Sequence, residues 1–424
     1  MKPASMKKNR FHHLKQSSDF ITLRLPLLLL PLLLFIGKSA WGAPADASLS
    51  QTPFLLEEEQ KNPSLRFQNF RPRFKELEKG RYITRFENGV TATYTLDPFI
   101  QQRIENYLKR YRVPYGAFVA INPKTGKILA LADYSEREPR RENLFLAASY
   151  PAASIFKLVT AAAAIEKHQL SADFLIAYRG KFNRLTPALW KDDPKKDTLE
   201  MSFADAFAES NNIIFAKIAH RWLDIPTLLD YGARFYFNHS IPFESDVEIS
   251  NLAIGSEEGA LEKTAAGFGK VGLSPVHAAL IGSAIANNGV MMRPCLVNFI
   301  SDKSGEPLYA CTPGVLSQTI SADTAKVLRG MMERTVQNGT VKDIFEKRHL
   351  DRRLRNMKIG GKTGSLRGKN PRGRYTWFIG MTPLDDPEIV VAALIVNDPR
   401  WHIQAPHVAK EGLAAYFESR AMQN

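Results

Sequence analysis

The chain has 424 residues, 44% hydrophobic, 10% aromatic and 24% charged, globular proportions that exclude a disordered chain and leave length for a large core. Lys and Arg number 57 against 43 Asp and Glu, a formal net charge of +14, and part of that excess sits in residues 1–45, where Asp19 is the sole acid. Two cysteines cannot make a thiolate metal site and the nine histidines show no paired ligand spacing, so neither a metal nor a cofactor is expected.

Residues 1–45 have the layout of an export signal. A basic segment precedes an apolar run over 25–36, and small residues follow around Ala40-Trp41-Gly42-Ala43. Pro26 and Pro31 interrupt the run, which is shorter than the roughly 20 residues that a membrane-spanning helix needs. Cleavage near residues 42–45 is expected, with membrane association through 25–36 as the alternative. Either way the folded part lies outside the cytoplasm, in the periplasm or cell envelope.

Residues 46–92 read as a polar linker or arm with a short hairpin, since 82–86 and 90–95 flank Asn88-Gly89. A single domain is expected from residue 93 to 424. Asp97 caps a helix through about Lys109, and 116–122 and 127–132 form a second hairpin across Pro123-Lys124-Thr125-Gly126.

Next comes Tyr150-Pro151-Ala152-Ala153-Ser154-Ile155-Phe156-Lys157. Pro151 favours helix just beyond itself, so a helix is expected from about Ser154, and it is apolar almost all round over 155–165, the mark of a buried helix. Ser154 and Lys157 break the pattern three residues apart, on one face within a turn. Burial disfavours a charged lysine, and a neutral lysine one turn from a hydroxyl can take its proton and make a nucleophile.

Helical pieces are expected over 203–209 and 213–222, broken at Ser210-Asn211-Asn212, and further helices over 275–286 and 321–337. Between these, Cys295 and Cys311 flank a hairpin pattern centred near Lys303; a disulfide and two buried free thiols are both open readings. The end of the chain is strand-like over 357–365, 375–381 and 388–397, with 366–374 a basic loop and 407–421 a final helix. Strands at both ends with helices between give an α+β domain with one mostly antiparallel sheet.

Two tempting motifs fail. Gly267-Phe268-Gly269-Lys270-Val271-Gly272 fits a dinucleotide fingerprint, but no strand precedes it; Gly361-Lys362-Thr363 lacks the first glycine of a phosphate loop, because position 356 is Asn356. What remains is Ser154/Lys157, Ser210-Asn211-Asn212 and Lys362-Thr363-Gly364, in that order and each in a fitting context. Singly they are weak.

Together they resemble the signature of the penicillin-binding protein transpeptidase domain, within the serine acyltransferase and β-lactamase superfamily. The resemblance covers the chain from about residue 93 onward, including Ser274-Pro275, Ala284-Ile285-Ala286-Asn287-Asn288-Gly289 and Thr376-Trp377-Phe378-Ile379-Gly380. It implies a β-lactamase-like fold: a mostly antiparallel five-stranded sheet, helices on both faces and a helical subdomain. It further implies a catalytic set of Ser154, Lys157, Ser210, Asn212 and Lys362, with Thr363, Gly364 and Ser365 binding substrate. Ser154 would attack the D-Ala-D-Ala carbonyl while Lys157 accepts its proton. Ser210, held by Lys362, would pass a proton to the leaving nitrogen, and Asn212 would position Lys157. The N–H groups of Ser154 and Ser365 would form the oxyanion hole.

The expected partners are therefore peptidoglycan stem peptides and β-lactams, not nucleic acid, and the oligomeric state is left open. A D,D-carboxypeptidase shares the acyl-enzyme and is one alternative. A class D-like β-lactamase is another, although Asn212 stands where those enzymes carry valine. A penicillin-recognising sensor without turnover is the third.

Overall fold

The structure is a computed structural model, and it describes residues 74–423 apart from 75, 87, 88, 182–184 and 401. The expected export signal lies outside the described residues. Among the described residues no helix is long and apolar enough to cross a membrane.

The elements that position the site are, in chain order, α1 (Pro98–Arg110), β1 (Tyr115–Ile121), β2 (Ile128–Tyr134), α2 (Lys157–His168), α3 (Phe203–Ala208), α4 (Asn212–Trp222), α5 (Pro275–Ala286), α6 (Ala322–Gln337), β3 (Gly360–Lys369), β4 (Arg372–Thr382), β5 (Ile389–Asn397) and α7 (Ala405–Gln423). The five strands form one antiparallel sheet in the order β3-β4-β5-β1-β2, so the α+β expectation holds. Within this sheet the last strand in sequence, β5, pairs with the first, β1, Val391 opposite Ala120 and Ala393 opposite Phe118.

The strand period sorts these residues into two cores. Ala117, Val119, Trp377, Ile379, Ala392 and Leu394 share a core with α5 and the buried face of α2. Phe118, Ala120, Phe378, Val391 and Ile395 share another with Ile104 of α1 and Leu413 of α7. β5 is therefore buried at every position, which is why its sequence is a continuous apolar run instead of an alternating one. Asp97 caps α1, its carboxylate accepting from the N–H groups of Phe99 and Ile100.

Two expectations change in form. Residues 366–374 are not a loop: β3 and β4 continue as a paired hairpin out to Lys369 opposite Arg372, turning at Asn370-Pro371. The hairpin expected in the arm (Arg81–Arg85 with Thr91–Tyr94) is part of a second five-stranded sheet, in which Thr91–Tyr94 pairs with Val297–Ser301 and that strand with Pro307–Ala310. Cys295 and Cys311 are joined by a disulfide across the base of the hairpin formed by Val297–Ser301 and Pro307–Ala310.

Candidate active site

Residues 150–152 run extended against 271–273, with the Ala152 N–H donating to the Val271 carbonyl and the Leu273 N–H to that of Tyr150. Ala153 then adopts a left-handed φ of +50°, a conformation that costs an alanine about 1–2 kcal/mol, and the chain turns abruptly into a 3₁₀ turn over Ala153–Phe156 that leads into α2. The helix expected from Ser154 therefore begins as 3₁₀, with Ser154 in its first turn.

Lys157 is fully buried, and its Nζ has three neighbours: Ser154 Oγ at 2.8 Å, Asn212 Oδ1 at 2.7 Å and the Ala266 carbonyl at 2.8 Å. Burial, and secondarily the charge of Lys362, holds its pKa well below the ordinary lysine value. The hydrogen-bond count then has one natural solution. A neutral amine has two N–H donors and one lone pair; the Ala266 and Asn212 oxygens can only accept, whereas the Ser154 hydroxyl can donate. With the two N–H bonds directed to those oxygens, the lone pair faces the Ser154 hydroxyl.

The second segment is folded by its own sequence. Asn211, fully buried, caps α4 by accepting from the N–H groups of Ile213 and Ile214, and Ser210 before it is left-handed at φ +56°. That kink sends Ser210 toward Lys362, whose Nζ donates to Ser210 Oγ at 3.1 Å and to the Thr363 carbonyl at 3.0 Å. Asn212, the first residue of α4, reaches Lys157. Lys362 is also fully buried, and burial lowers its pKa to about 7.

β3 is an edge strand, and its alternation separates Lys362, beneath the site, from Thr363, which faces it. Ser154, Ser210, Asn212, Thr363, Gly364 and Ser365 all line one open cavity of about 420 Å3. Thus all eight residues expected from sequence lie on the two hydrogen-bond clusters or the cavity wall, with Ser365 beside Arg374, whose Nε donates to Ser365 Oγ at 3.4 Å.

Several contributors were not foreseen. The Ala266 carbonyl is presented by Gly267, which ends the short helix Ala260–Ala265 at φ +92° and lies directly on Ala153. The glycines of the rejected dinucleotide motif were the available signal. Phe215 and Phe207 lie under the two amino groups, 5.4 Å from Lys157 Nζ and 5.3 Å from Lys362 Nζ to the ring centroids. Thr340 Oγ1 lies 2.8 Å from Thr363 Oγ1, and Trp377 anchors the wall by donating from Nε1 to the Pro151 carbonyl.

Comparisons with known proteins identify the family and the fold. The family model for the penicillin binding protein transpeptidase domain matches residues 116–414. Stage V sporulation protein D of Bacillus subtilis is 26% identical over 344 residues, covering 75% of this chain and 51% of that protein. The peptidoglycan D,D-transpeptidase PbpA of Mycobacterium tuberculosis is 26% identical over 359 residues, 74% of this chain and 69% of that one. The chain thus spans from about half to about two thirds of these relatives. Among solved structures, the D,D-transpeptidase domain of a peptidoglycan glycosyltransferase from Eggerthella lenta superposes with a TM-score of 0.63 at 25% identity, covering 78% of this chain and 84% of that one. A penicillin-binding protein A acyl-enzyme complex from M. tuberculosis gives 0.62 at 24%, with 77% and 79% covered.

Proposed function

The chain belongs to the penicillin-binding protein transpeptidase family, and from that premise we propose that it is a peptidoglycan D,D-transpeptidase working through an acyl-enzyme at Ser154. The observation that carries the reading is the setting of Lys157: a fully buried amine, 2.8 Å from Ser154 Oγ, with two other neighbours that can only accept.

In this reading Ser154 Oγ attacks the carbonyl carbon of the penultimate D-alanine of a stem peptide while its proton passes to Lys157 Nζ. The oxyanion is held by the N–H groups of Ser154 and Ser365. The C–N bond breaks, and the leaving D-alanine nitrogen takes a proton relayed through the Ser210 hydroxyl, which Lys362 keeps oriented. Thr363, with Gly364 leaving room beside it, holds the terminal carboxylate. The Ser154 ester then passes its acyl group to an acceptor amine, which restores the serine.

The same cavity admits β-lactams, which acylate Ser154 by the same attack. The folded domain works outside the cytoplasm, delivered by the signal-like residues 1–45 and held at the membrane if 25–36 is retained. The test is labelling by a fluorescent penicillin with Ser154→Ala as control: the parent protein labels and the variant does not. Labelling of both, or of neither, refutes the assignment. Muropeptide analysis then separates cross-linking from carboxypeptidase trimming, and rapid turnover of penicillin would point to a β-lactamase.

A further inference from the structure

Beyond the cavity, the β3–β4 hairpin carries a row of cations. Residues directly opposite in an antiparallel pair share a face, and here Ser365 opposes Thr376, Arg367 opposes Arg374, and Lys369 opposes Arg372. Ser365, Arg367, Lys369, Arg372, Arg374 and Thr376 therefore project from one face, the one on which Thr363, Ser365, Arg374 and Thr376 line the cavity. All four cationic residues are exposed, and among the described residues none forms an ion pair with Arg367, Lys369 or Arg372.

The other face is packed. Tyr375 is fully buried, lies across Gly368 and donates its hydroxyl proton to the Pro371 carbonyl. The hairpin is thus a braced extension of the sheet whose free face sets like charges directly opposite each other twice, an arrangement that opposes its own folding.

We infer that this cationic row is a specificity site for the acidic part of the donor stem peptide, reading free carboxylates upstream of the D-Ala-D-Ala end. The inference rests on the transpeptidase reading of the cavity. β3 is an edge strand, so an extended peptide can lie along it with carboxylates on its near face. Side chains on one face of β3 recur at roughly 7 Å, the spacing at which alternate residues of an extended peptide present their own groups. Thr363 marks the C-terminal end of that peptide, so the residues before the scissile bond pass Ser365 and then Arg367 and Lys369. A single row continuous with the cavity suits one extended chain better than a flat lipid surface, which would call for a broad basic patch.

The test measures binding of two fluorescent donor pentapeptides, one with free internal carboxylates and one with those carboxylates amidated, to the full chain carrying Ser154→Ala. The expected result is a preference of roughly tenfold for the free-acid peptide at low salt, the scale of a few exposed ion pairs acting together. That preference falls to within about twofold when Arg367→Gln, Lys369→Gln and Arg372→Gln are added, and in the parent when salt is raised past the range where exposed charges interact. The single change Lys369→Glu, at the hairpin tip, lowers the preference in part and guards against misfolding of the triple variant; penicillin labelling of the same substitutions on a Ser154 background reports an intact cavity. Equal binding of both peptides by the parent chain, or an unchanged preference in the variants, overturns the inference. So does a triple variant that keeps the preference but loses binding to anionic phospholipid vesicles, which assigns the row to a membrane. Absence of penicillin labelling in the parent chain instead overturns the transpeptidase reading.

Discussion

Replacing Gly267 by alanine tests whether the Ala266 carbonyl sets Lys157 against the proposed nucleophile, Ser154. The residue sits at φ +92°, and a Cβ there would lie 2.5 Å from the Ala153 carbonyl oxygen and 2.9 Å from the Ser154 nitrogen. The left-handed backbone alone costs an alanine about 1–2 kcal/mol. The contact is about 1 Å too close, and relief of such overpacking typically costs about 1–3 kcal/mol more. Both partners in the clash are backbone, so the 266–267 segment has to lift off the Ser154 turn, taking with it the Ala266 oxygen that accepts from Lys157 at 2.8 Å. A displacement of about 1 Å in a catalytic group lowers rates on the order of 100-fold. The expected outcome for Gly267→Ala is a loss of about 2–5 kcal/mol in urea unfolding and an acylation rate by fluorescent penicillin about 100-fold down. Gly305→Ala is the control: φ is +90° there, but nothing lies within 4 Å of the added carbon, so it carries the backbone cost without the clash. If Gly267→Ala acylates within about threefold of the parent while losing that stability, the Ala266 carbonyl does not govern Lys157 and the hydrogen-bond count above is wrong.

Two further outcomes follow from the same cluster. Lys362 has a native pKa of about 7, below its ordinary value of about 10.4, so between those values the unfolded chain binds more protons and stability rises with pH. Urea titrations from pH 7 to 9.5 should show a slope steeper than in Lys362→Met, by up to about 1.4 kcal/mol per pH unit, and parallel curves would disprove the burial argument. Thr340→Val removes the hydroxyl 2.8 Å from Thr363 Oγ1 and should raise KM for a D-Ala-D-Ala donor several-fold, on the order of one hydrogen bond, with kcat little changed; a fall in kcat alone would contradict a role in orienting Thr363.

The parts of the site that were legible in the sequence are those in which a short spacing fixes a geometry. Ser154 and Lys157 fall on one turn because they are three apart, and Lys362 and Thr363 part company because a strand alternates. What was hidden depends on groups that carry no side-chain signal or on partners distant in sequence. The Ala266 carbonyl belongs to the first kind. Thr91–Tyr94 pairing with Val297–Ser301 belongs to the second, since nothing local to the arm reveals a strand about 200 residues downstream. Residues 366–374 misled for another reason: four cations and a proline mimic loop composition, while the apolar residue that holds the hairpin together, Tyr375, stands at its margin.

The pairing of β5 with β1 bears on how the chain comes to be folded at all. Residues 115–121 pair with 128–134 locally but acquire their second neighbour only when residues 389–397 exist, and β3, which carries Lys362, is tied to that second neighbour through β4. Contacts so distant in sequence are slow to form, because the loop must close before the pairing rewards it. A chain still emerging from the ribosome can build the Ser154 helix and the Ser210 turn but has no third wall to set against them. Ser154 therefore lacks that wall until residues 360–397 have joined the sheet.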